Sequence, residues 1–392
     1  MADTSLAWLL QPLSVQTFLD EVWGQTHHHV KRSNAGYFDS LLQGPSVIDE
    51  LLEHVRPEPS GVRLVRRGED KDPGTYRLAD GSLDVARVRN DFADGYTIVL
   101  NRLEQYVRAI GTLSHAIEVE LNFPTRVNGY ITPPGSAGFV PHYDPHDVLI
   151  LQIQGSKVWY LSNDAAVPPH EMHHPDAVAT PELSSPTELR LAAGDVLYLP
   201  RGQVHGAETQ SEPSVHLTVG IHAPTVLTLM THVLYSLSLR DDGIHARLPA
   251  RHLDDAGVRA SLTDVVHDIL RTVGDPSVIA DGLGAMEEVL VRRGRCPPVG
   301  QVSNAVGIDG DTLVVKYQPL YSRVVADTGN VGLQFAQLLI KVGPDHKAAI
   351  KFVAGSSKPF RVRELPGLSP EQQTALARTL ITTGFLVRLP DD

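Results

Sequence analysis

The chain has 392 residues, more than one ordinary compact core contains, so its length predicts two or three domains. Hydrophobic residues make up 42% and charged residues 20%, which excludes a disordered chain, and the formal charge of −12 argues against a surface that binds nucleic acid throughout. The single cysteine, Cys296, excludes an internal disulfide and a thiolate-rich metal site, so a metal ion would need histidine and carboxylate ligands.

The first half of the chain changes from helical to strand-like periodicity. Apolar spacing predicts helices between Ser14 and about His54, and another over Tyr96–Leu113. From Asn122, short segments bounded by proline and glycine alternate like strands. The predicted strands are Arg126–Thr132, Val148–Gln154, Lys157–Leu161, Thr187–Leu191, Asp195–Leu199 and Ser214–Ile221. Many short strands at this spacing indicate a β-sandwich or a small barrel.

Helices are predicted again after Pro224. Apolar residues from Leu262 to Val273 lie along one helical face. A further helix is predicted to begin at Asp275, the N-cap residue before Pro276, and to end at Gly294. A helical region therefore follows the β region.

The last part of the sequence predicts a small α+β module. Cys296–Gly300 is typical of a linker. Thr312–Lys316 and Ala348–Val353 alternate like strands around a predicted helix near Val331–Ile340. The final helix is predicted over Ser369–Gly384, because Ser369 and the glutamine three residues later form a capping box.

One histidine–carboxylate pair and a distant histidine form a candidate metal site. In Pro141–Pro145, His142 and Asp144 are two residues apart, so an extended backbone points both side chains to the same face. His205 follows a predicted strand and a Pro-Arg-Gly turn, at the start of the next strand. Two histidines and one carboxylate leave three positions of a metal ion open, the arrangement of non-haem Fe(II) oxygenases.

The same three residues are also compatible with a turn and a core histidine. Lys157 favours the metal site, because it follows the predicted hairpin turn Gln154–Lys157 on the strand paired with the one that His142 and Asp144 lead into. A 2-oxoglutarate bound to the metal would project a second carboxylate inward, and such a buried charge needs a cation.

Two other histidine patterns suggest different metal chemistry. His170–His174 matches the H-E-x-x-H pattern of zinc proteases, but flanking prolines disfavour the helix that the pattern requires, and we predict a loop. The run His27–His29 has no carboxylate pattern nearby and is predicted to be a surface run or part of a strand.

Three segments closely resemble the JmjC ribosomal-oxygenase-like family of cupin-type protein hydroxylases: Val127–Asp144, Gln154–Trp159 and Gly194–His205. The resemblance implies an α+β fold with a double-stranded β-helix core of jelly-roll type and flanking helices. It also implies a helical dimerisation region and a C-terminal winged helix. The domains expected are residues 1–224 for the catalytic domain with its helical extension, 225–299 for the dimerisation region and 300–392 for the winged-helix-like domain.

The resemblance also implies roles for individual residues. The catalytic Fe(II) would have three ligands: His142, Asp144 and His205. The co-substrate 2-oxoglutarate would be bound by Lys157 with Asn128 and Thr218 as hydrogen-bonding neighbours. Two residues are candidates for the substrate pocket, each with a structural role as the alternative: Tyr130 and His216.

The implied enzyme is an Fe(II)- and 2-oxoglutarate-dependent dioxygenase that uses O₂ to hydroxylate a protein side chain, an arginine or histidine of a ribosomal protein. One alternative substrate is a precursor peptide in natural-product maturation, and demethylation of N-methyl-lysine is another chemistry of the family. A cupin-like binding or regulatory protein without turnover is the non-enzyme alternative.

The expected partners and compartment follow from the same observations. The family resemblance implies a homodimer, and the acidic chain leads us to expect no direct nucleic-acid binding by the winged helix. The sequence has no apolar run of about 18 residues and no secretory signal after Met1, so we expect a cytoplasmic protein without a membrane partner.

Overall fold

The computed structural model describes residues 4–42, 49, 51–52, 61–164, 183, 185–296, 306–327 and 329–390. The chain divides into two compact units, Met1–Ala223 and Pro224–Asp392. The predicted boundary between residues 299 and 300 lies outside the described residues. No helix in the described part of the chain is both long and apolar enough to cross a membrane.

Four helices of the first unit flank its sheets: α1 (Leu6–Leu10), α2 (Val15–Glu21), α3 (Val85–Ala93) and α4 (Arg108–Leu121). Ser5 and Ser14 cap the first two helices, accepting hydrogen bonds from backbone N–H groups of their first turns. The predicted helical pattern from Ser14 to about His54 is wrong in part, because strand β1 (His28–Val30) interrupts it. This strand pairs with a central strand of the fold, a long-range contact that local periodicity does not show.

Eight antiparallel strands form the large sheet of the first unit: β1, β2 (Val62–Arg66), β3 (Glu69–Asp70), β4 (Thr97–Leu100), β5 (Thr125–Thr132), β6 (Asp147–Gln154), β9 (Val196–Leu199) and β11 (Ser214–Ile221). Their order is β1-β9-β6-β11-β5-β4-β2-β3. One face of this sheet packs on the flanking helices in a large apolar core that includes Phe18, Ile117 and Leu217.

A smaller sheet completes the double-stranded β-helix: β7 (Ser156–Leu161), β8 (Thr187–Ala192) and β10 (His205–Glu208), in the order β10-β7-β8. The chain turns between β6 and β7 at Gly155, whose φ of 66° is in the region that favours glycine. The predicted hairpin pairing of these two strands is wrong, because β6 pairs with β9 and β11 in the large sheet and β7 pairs with β8 and β10 in the smaller one. The glycine turn therefore takes the chain from one sheet to the other. Val148, Ile150, Trp159 and Leu161 belong to an apolar cluster contributed by both sheets. The predicted β region is therefore confirmed as a jelly-roll cupin core.

The predicted helix over Tyr96–Leu113 is wrong in its first half. Residues Thr97–Leu100 form β4, which is buried throughout and pairs with β2 and β5. A strand that is buried on both faces has a continuous apolar run, which periodicity cannot distinguish from a helix. The chain then turns at Arg102, with a φ of 62°, before α4 begins.

The second unit begins with three helices: α5 (Val226–Ser238), α6 (Ala256–Val273) and α7 (Pro276–Arg293). Asp275 is confirmed as the N-cap of α7, since its side chain accepts a hydrogen bond from the Ser277 backbone N–H, and Gly294 is the C-cap. A small apolar cluster joins the helices through Val233, Leu237, Val273 and Val278.

The C-terminal module contains two three-stranded sheets and two helices: β12 (Leu313–Lys316), β13 (Ser322–Asp327), β14 (Asn330–Phe335), β15 (Leu338–Val342), α8 (Lys347–Gly355), β16 (Phe360–Arg361), α9 (Pro370–Thr382) and β17 (Leu386–Arg388). The sheet orders are β16-β12-β17 and β13-β14-β15. The capping box of Ser369 and Gln372 at α9 is confirmed.

Two predictions in this module are wrong. The predicted strand Ala348–Val353 lies in helix α8, where Ala349, Ile350 and Val353 are buried at helical spacing. The predicted helix near Val331–Ile340 is the β14–β15 hairpin. Its turn includes Ala336 with a φ of 48°, a non-glycine residue that gives no turn signal in the sequence.

Candidate metal and co-substrate site

Backbone pairing brings the two predicted histidine ligands together. His142 and His205 form an isolated antiparallel bridge, with N–H to carbonyl distances of 3.0 and 2.8 Å, and their ring centroids are 4.5 Å apart. Asp144 follows two residues later, and its backbone carbonyl accepts a hydrogen bond from the Gly202 N–H at 2.9 Å. The candidate ligand atoms of His142, Asp144 and His205 all lie within 4.8 Å of one another.

The tautomers of both histidines are determined by backbone carbonyls. Nδ1 of His142 lies 2.8 Å from the Val140 carbonyl oxygen, and Nδ1 of His205 lies 2.9 Å from the Gln203 carbonyl oxygen. Because a carbonyl only accepts, each Nδ1 carries the proton and each Nε2 presents a lone pair. His205 Nε2 is 3.8 Å from Asp144 Oδ2. Two imidazoles and one carboxylate therefore converge as a donor set that fits a divalent transition metal.

Burial keeps the second histidine neutral. Burial is the largest cause that lowers the pKa of His205 to about 4; nearby His142 also contributes to the lowering, and Asp144 opposes it. A neutral imidazole is the form that binds a metal, so this ligand needs no proton loss at neutral pH.

Lys157 is a buried cation near the Thr132 end of β5. Its side chain is part of β7 and only 5% exposed, and its ammonium donates a hydrogen bond of 3.0 Å to Thr132 Oγ1. No carboxylate in the described residues pairs with this ammonium, and burial lowers the pKa of Lys157 to about 7. A buried ammonium with donors to spare fits an anionic ligand group, such as the distal carboxylate of 2-oxoglutarate.

The other predicted site residues lie on neighbouring strands between Lys157 and the metal ligands. Asn128 of β5 is paired with Thr218 of β11, and Tyr130 is paired with His216. The Tyr130 and His216 rings stack at 4.9 Å with an interplanar angle of 3°. Burial holds the pKa of His216 well below its usual value, with a further effect of Lys157, and its buried Nδ1 has no hydrogen-bond partner.

All eight predicted site residues line one cavity of about 330 Å³. The cavity runs from a buried end at Lys157 and His216 to an open end at Arg126, which is exposed. Burial raises the pKa of Tyr130, as does Asp144, so the phenol stays neutral beside the metal ligands.

The sequence analysis missed several residues of this cavity. Trp159 had a signal, since it stands two residues from Lys157 on the same strand and so shares its face. No sequence signal pointed to Arg63 and Asn101. They lie on β2 and on the turn after β4, which come next to the cavity only because of the order of strands in the large sheet.

The run His27–His29 does not add to the site. His29 belongs to β1, and its Nε2 lies 3.2 Å from Asp195 Oδ2, a contact that joins β1 to the turn before β9. The pattern His170–His174 lies outside the described residues.

Sequence comparison identifies the same region. Residues 104–229 match the JmjC domain model. The chain is 28% identical over 295 residues to ribosomal oxygenase 2 of Mus musculus, covering 72% of this chain and 61% of the relative. It is 27% identical over 325 residues to the bifunctional lysine-specific demethylase and histidyl-hydroxylase NO66 of Drosophila mojavensis, covering 80% of this chain and 34% of the relative. The chain thus spans less than two thirds of the length of these relatives.

Solved structures support the fold. Escherichia coli YcfD superimposes with a TM-score of 0.57 at 18% identity, covering 96% of this chain and 99% of that chain. The structure of the same ribosomal oxygenase with cobalt and 2-oxoglutarate gives a TM-score of 0.57 at 17% identity, with coverage of 97% and 99%. The fold and site define a JmjC-type cupin with a two-histidine, one-carboxylate cluster. The chain is similar in sequence and in fold to members of the JmjC ribosomal-oxygenase-like family.

Proposed function

We propose that this protein is an Fe(II)- and 2-oxoglutarate-dependent oxygenase that hydroxylates a side chain of a ribosomal protein. One observation carries the proposal: a convergent His-Asp-His donor set and a buried ammonium without a carboxylate partner line the same cavity. The first fits a divalent metal and the second fits the distal carboxylate of the co-substrate. The bound cobalt and 2-oxoglutarate of the related YcfD structure support both assignments.

The metal and the distal carboxylate of the co-substrate would bind to different residues of the cavity. His142, Asp144 and His205 would hold the iron, while Lys157 would bind the co-substrate with Asn128 and Thr218 beside it. Bound iron and 2-oxoglutarate would supply the oxidising chemistry, in which O₂, 2-oxoglutarate and a C–H group of the substrate are converted to succinate, carbon dioxide and a C–OH group. The apolar walls, including Val148 and Trp159, exclude water from the buried end.

The charges of the cavity favour a histidine over an arginine as the target residue. Among the described residues that line it, Asp144 is the only carboxylate, and it belongs to the metal ligands. Arg63 and Arg126 line the same cavity, and no free acidic group is available to pair with a guanidinium. Tyr130 and His216 would form part of the pocket for a neutral imidazole. The name histidyl-hydroxylase of the Drosophila relatives agrees with this choice.

The test is oxidation of ribosomal proteins from the source cell by the iron-loaded protein. We expect succinate release that depends on Fe(II), 2-oxoglutarate and O₂, together with a mass gain of one oxygen on a ribosomal protein, located on a histidine. Succinate release with an unmodified ribosomal proteome would favour a precursor peptide as the substrate. Loss of a methyl group from a lysine would favour demethylation, and metal binding without any 2-oxoglutarate turnover would favour a non-catalytic binding protein.

The second unit would serve as a dimerisation region and a winged-helix-like domain. Support for a homodimer comes from α5, whose exposed apolar side chains include Val226, Leu227, Tyr235 and the following Leu239, at 78%, 53%, 63% and 72% exposure. Exposed apolar side chains along one helix are typical of a protein interface. A second copy of this chain is the partner that we propose for this face.

The remaining proposals concern the module boundaries and the compartment. The proposed domains are residues 1–224, 225–299 and 300–392, and the last of these combines helices α8 and α9 with short strands as winged helices do. We propose that this module docks protein rather than nucleic acid, in agreement with the charge of −12. A ribosomal-protein substrate places the enzyme in the cytoplasm.

A further inference from the structure

Four paired residues form a row across the large sheet, from the buried end of the cavity towards β2. His216 of β11 is paired with Tyr130 of β5. Val99 of β4 is paired with Tyr130 on one side and with Arg63 of β2 on the other. Directly paired residues of antiparallel strands point to the same face, so Arg63 lies on the face of Tyr130, about 10 Å away across two strand spacings. Arg63 also lines the cavity, and the row therefore extends the candidate substrate pocket towards β2.

A carboxylate on the neighbouring strand holds Arg63. Its Nε donates to Asp70 Oδ1 at 2.8 Å, and its Nη2 donates to Asp70 Oδ2 at 2.7 Å. This two-point contact fixes the plane of the guanidinium. Nη1 makes no hydrogen bond within the described part of the chain, so its N–H groups are left for a ligand. Because Asp70 already balances the charge of Arg63, a neutral acceptor fits these N–H groups better than a second carboxylate.

Asn101 presents a second polar group to the same cavity. It follows β4, and the backbone around it is held on both sides. Its N–H donates to the Gly61 carbonyl at 2.8 Å, and the next N–H, of Arg102, donates to Asn128 Oδ1 at 3.1 Å. Among the residues that the structure describes, none hydrogen-bonds to the side-chain amide of Asn101. The register places Asn101 diagonally across from Arg63, at about 7–8 Å between Cα atoms.

The free groups of these two side chains match a peptide group. A peptide group has one carbonyl acceptor and one N–H donor, while Arg63 offers a donor and the Asn101 amide offers both a donor and an acceptor. The carboxylates nearby have other roles, since Asp70 pairs with Arg63 and Asp144 belongs to the metal ligands. Arg126 also lines the cavity, but it is four residues from Tyr130 along β5, about 13 Å away.

We propose that Arg63 and Asn101 bind a main-chain peptide group of the substrate polypeptide, within two residues of the side chain that is hydroxylated. The inference rests on the proposed function, since it places the target side chain beside Tyr130. An extended chain advances about 3.3 Å per residue, and the arginine side chain itself spans part of the distance from Tyr130. Such a contact reads the main chain, so it tolerates different neighbouring side chains but requires an N–H group at one position.

A single peptide group, N-methylacetamide, tests this contact without turnover. The protein is labelled with ¹⁵N, supplied with zinc and 2-oxoglutarate, and titrated by NMR. We expect the Arg63 Nε and Asn101 Nδ2 signals, assigned by Arg63→Lys and Asn101→Ala, to shift together. N,N-dimethylacetamide lacks the N–H group and should shift them far less. The Arg89 Nε signal is the internal control, because Arg89 pairs with Asp49 in an equally exposed ion pair and does not line the cavity.

Kinetics with the hydroxylated ribosomal protein test the same contact in the reaction. Arg63→Gln and Asn101→Ala should each raise the KM for the protein substrate about tenfold, with little change in the KM for 2-oxoglutarate. Arg89→Gln is the matched control and should leave both values unchanged. In a substrate peptide, a methyl group on one backbone nitrogen within two residues of the target should raise the KM of the unaltered enzyme and have much less effect in Asn101→Ala.

Asp70 is a positioning residue, because it acts through Arg63. Asp70→Asn should raise the KM for the protein substrate and leave kcat unchanged, since it removes the contact that orients the guanidinium. Asp70→Glu keeps a carboxylate and should restore most of the loss. A merely structural role of Asp70 would lower the stability of both variants without this difference in KM.

The inference is overturned if N-methylacetamide leaves the Arg63 and Asn101 signals unchanged, if N,N-dimethylacetamide shifts them as strongly, or if the Arg89 signal shifts equally. It is also overturned if Arg63→Gln and Asn101→Ala change both KM values equally, or if no backbone nitrogen is sensitive to methylation. Failure of the proposed function is distinct, because no succinate then forms with any ribosomal protein while the NMR titration still reports on the peptide contact.

Discussion

At the scale of single residues, the metal site depends on where two imidazole protons lie. The carbonyls of Val140 and Gln203 accept them, so Nε2 is the nitrogen of each ring that is left to bind a metal. The backbone turns before each histidine are thus as much a part of the site as the ligands, because they orient the rings before a metal arrives. Local sequence shows the ligands but not these carbonyl contacts.

Removing the carboxylate of the site should abolish both metal retention and turnover. Asp144→Ala leaves two neutral imidazoles, which bind a divalent ion weakly, and we expect a loss of at least about 100-fold in succinate release. Metal content after desalting and succinate formation provide the measurements. Asp94→Ala, at an exposed carboxylate after α3, is the matched control and should retain both. Normal turnover by Asp144→Ala would refute the metal assignment.

Co-substrate affinity should depend on pH through Lys157. Burial lowers the pKa of the free site to about 7, and a bound carboxylate raises it again. Below pH 7 the Lys157 ammonium is already charged, so the affinity for 2-oxoglutarate does not change with pH. Above the free pKa, binding must take up a proton, so the Kd for 2-oxoglutarate should rise about tenfold per pH unit until the pKa of the complex is reached.

Fluorescence of Trp159, which lines the same cavity, can follow this titration in the zinc-loaded protein. Lys157→Met should bind 2-oxoglutarate weakly and with no such slope. If Lys157→Met had the same Kd for 2-oxoglutarate as the unaltered protein, or if its Kd had the same dependence on pH, the co-substrate carboxylate would be bound by another cation.

At the scale of elements, a buried hydrogen bond joins the strand after the metal ligands to the N-terminal helices. The Tyr198 hydroxyl on β9 donates to Asp147 Oδ1 at 2.6 Å and accepts from the Gly24 N–H at 2.8 Å. Tyr198→Phe removes both bonds and leaves a buried carboxylate with less support, so it should lower the free energy of unfolding by about 1–3 kcal/mol. Urea unfolding measures this, with Thr379→Val, which removes a hydroxyl at an exposed position of α9, as the control. If Tyr198→Phe lowered the free energy of unfolding no more than the control does, these two hydrogen bonds would not stabilise the fold.

The exposed face of α5 leads to a prediction about assembly. Tyr235 is 63% exposed and has apolar neighbours, so Tyr235→Glu should place a charge in the proposed interface and raise the dimer dissociation constant about 100-fold or more. Light scattering coupled to size exclusion measures the mass against concentration. Thr379→Glu, on the exposed face of α9, should leave the mass unchanged. A monomeric wild-type protein, or a dimer that persists in Tyr235→Glu, would exclude this interface.

At the scale of the whole molecule, the sequence predicted what depends on neighbours along the chain and missed what depends on the order of the strands. His142, Asp144 and Lys157 stand beside turns that are visible in the sequence, but the turn at Gly155 joins two sheets and not two paired strands, which local sequence does not show. Arg63 reaches the cavity through β2, which is separated from β11 by two other strands. In the C-terminal module the apolar runs are short, so their periodicity predicted a strand where α8 forms and a helix where the β14–β15 hairpin forms.

The net charge of −12 should make the encounter with a basic ribosomal protein sensitive to salt. Long-range attraction is screened within about 10 Å at 0.1 M ionic strength, so raising sodium chloride from about 0.05 to 0.5 M should raise the KM for the protein substrate about tenfold. Succinate release without protein substrate provides the control, because 2-oxoglutarate binds in a buried site that salt screens less, and it should change far less. Steady-state kinetics at both salt concentrations measure the two effects. A KM that does not change with salt would show that recognition depends on short-range contacts in the cavity alone, and the charge of the whole molecule would then have no part in it.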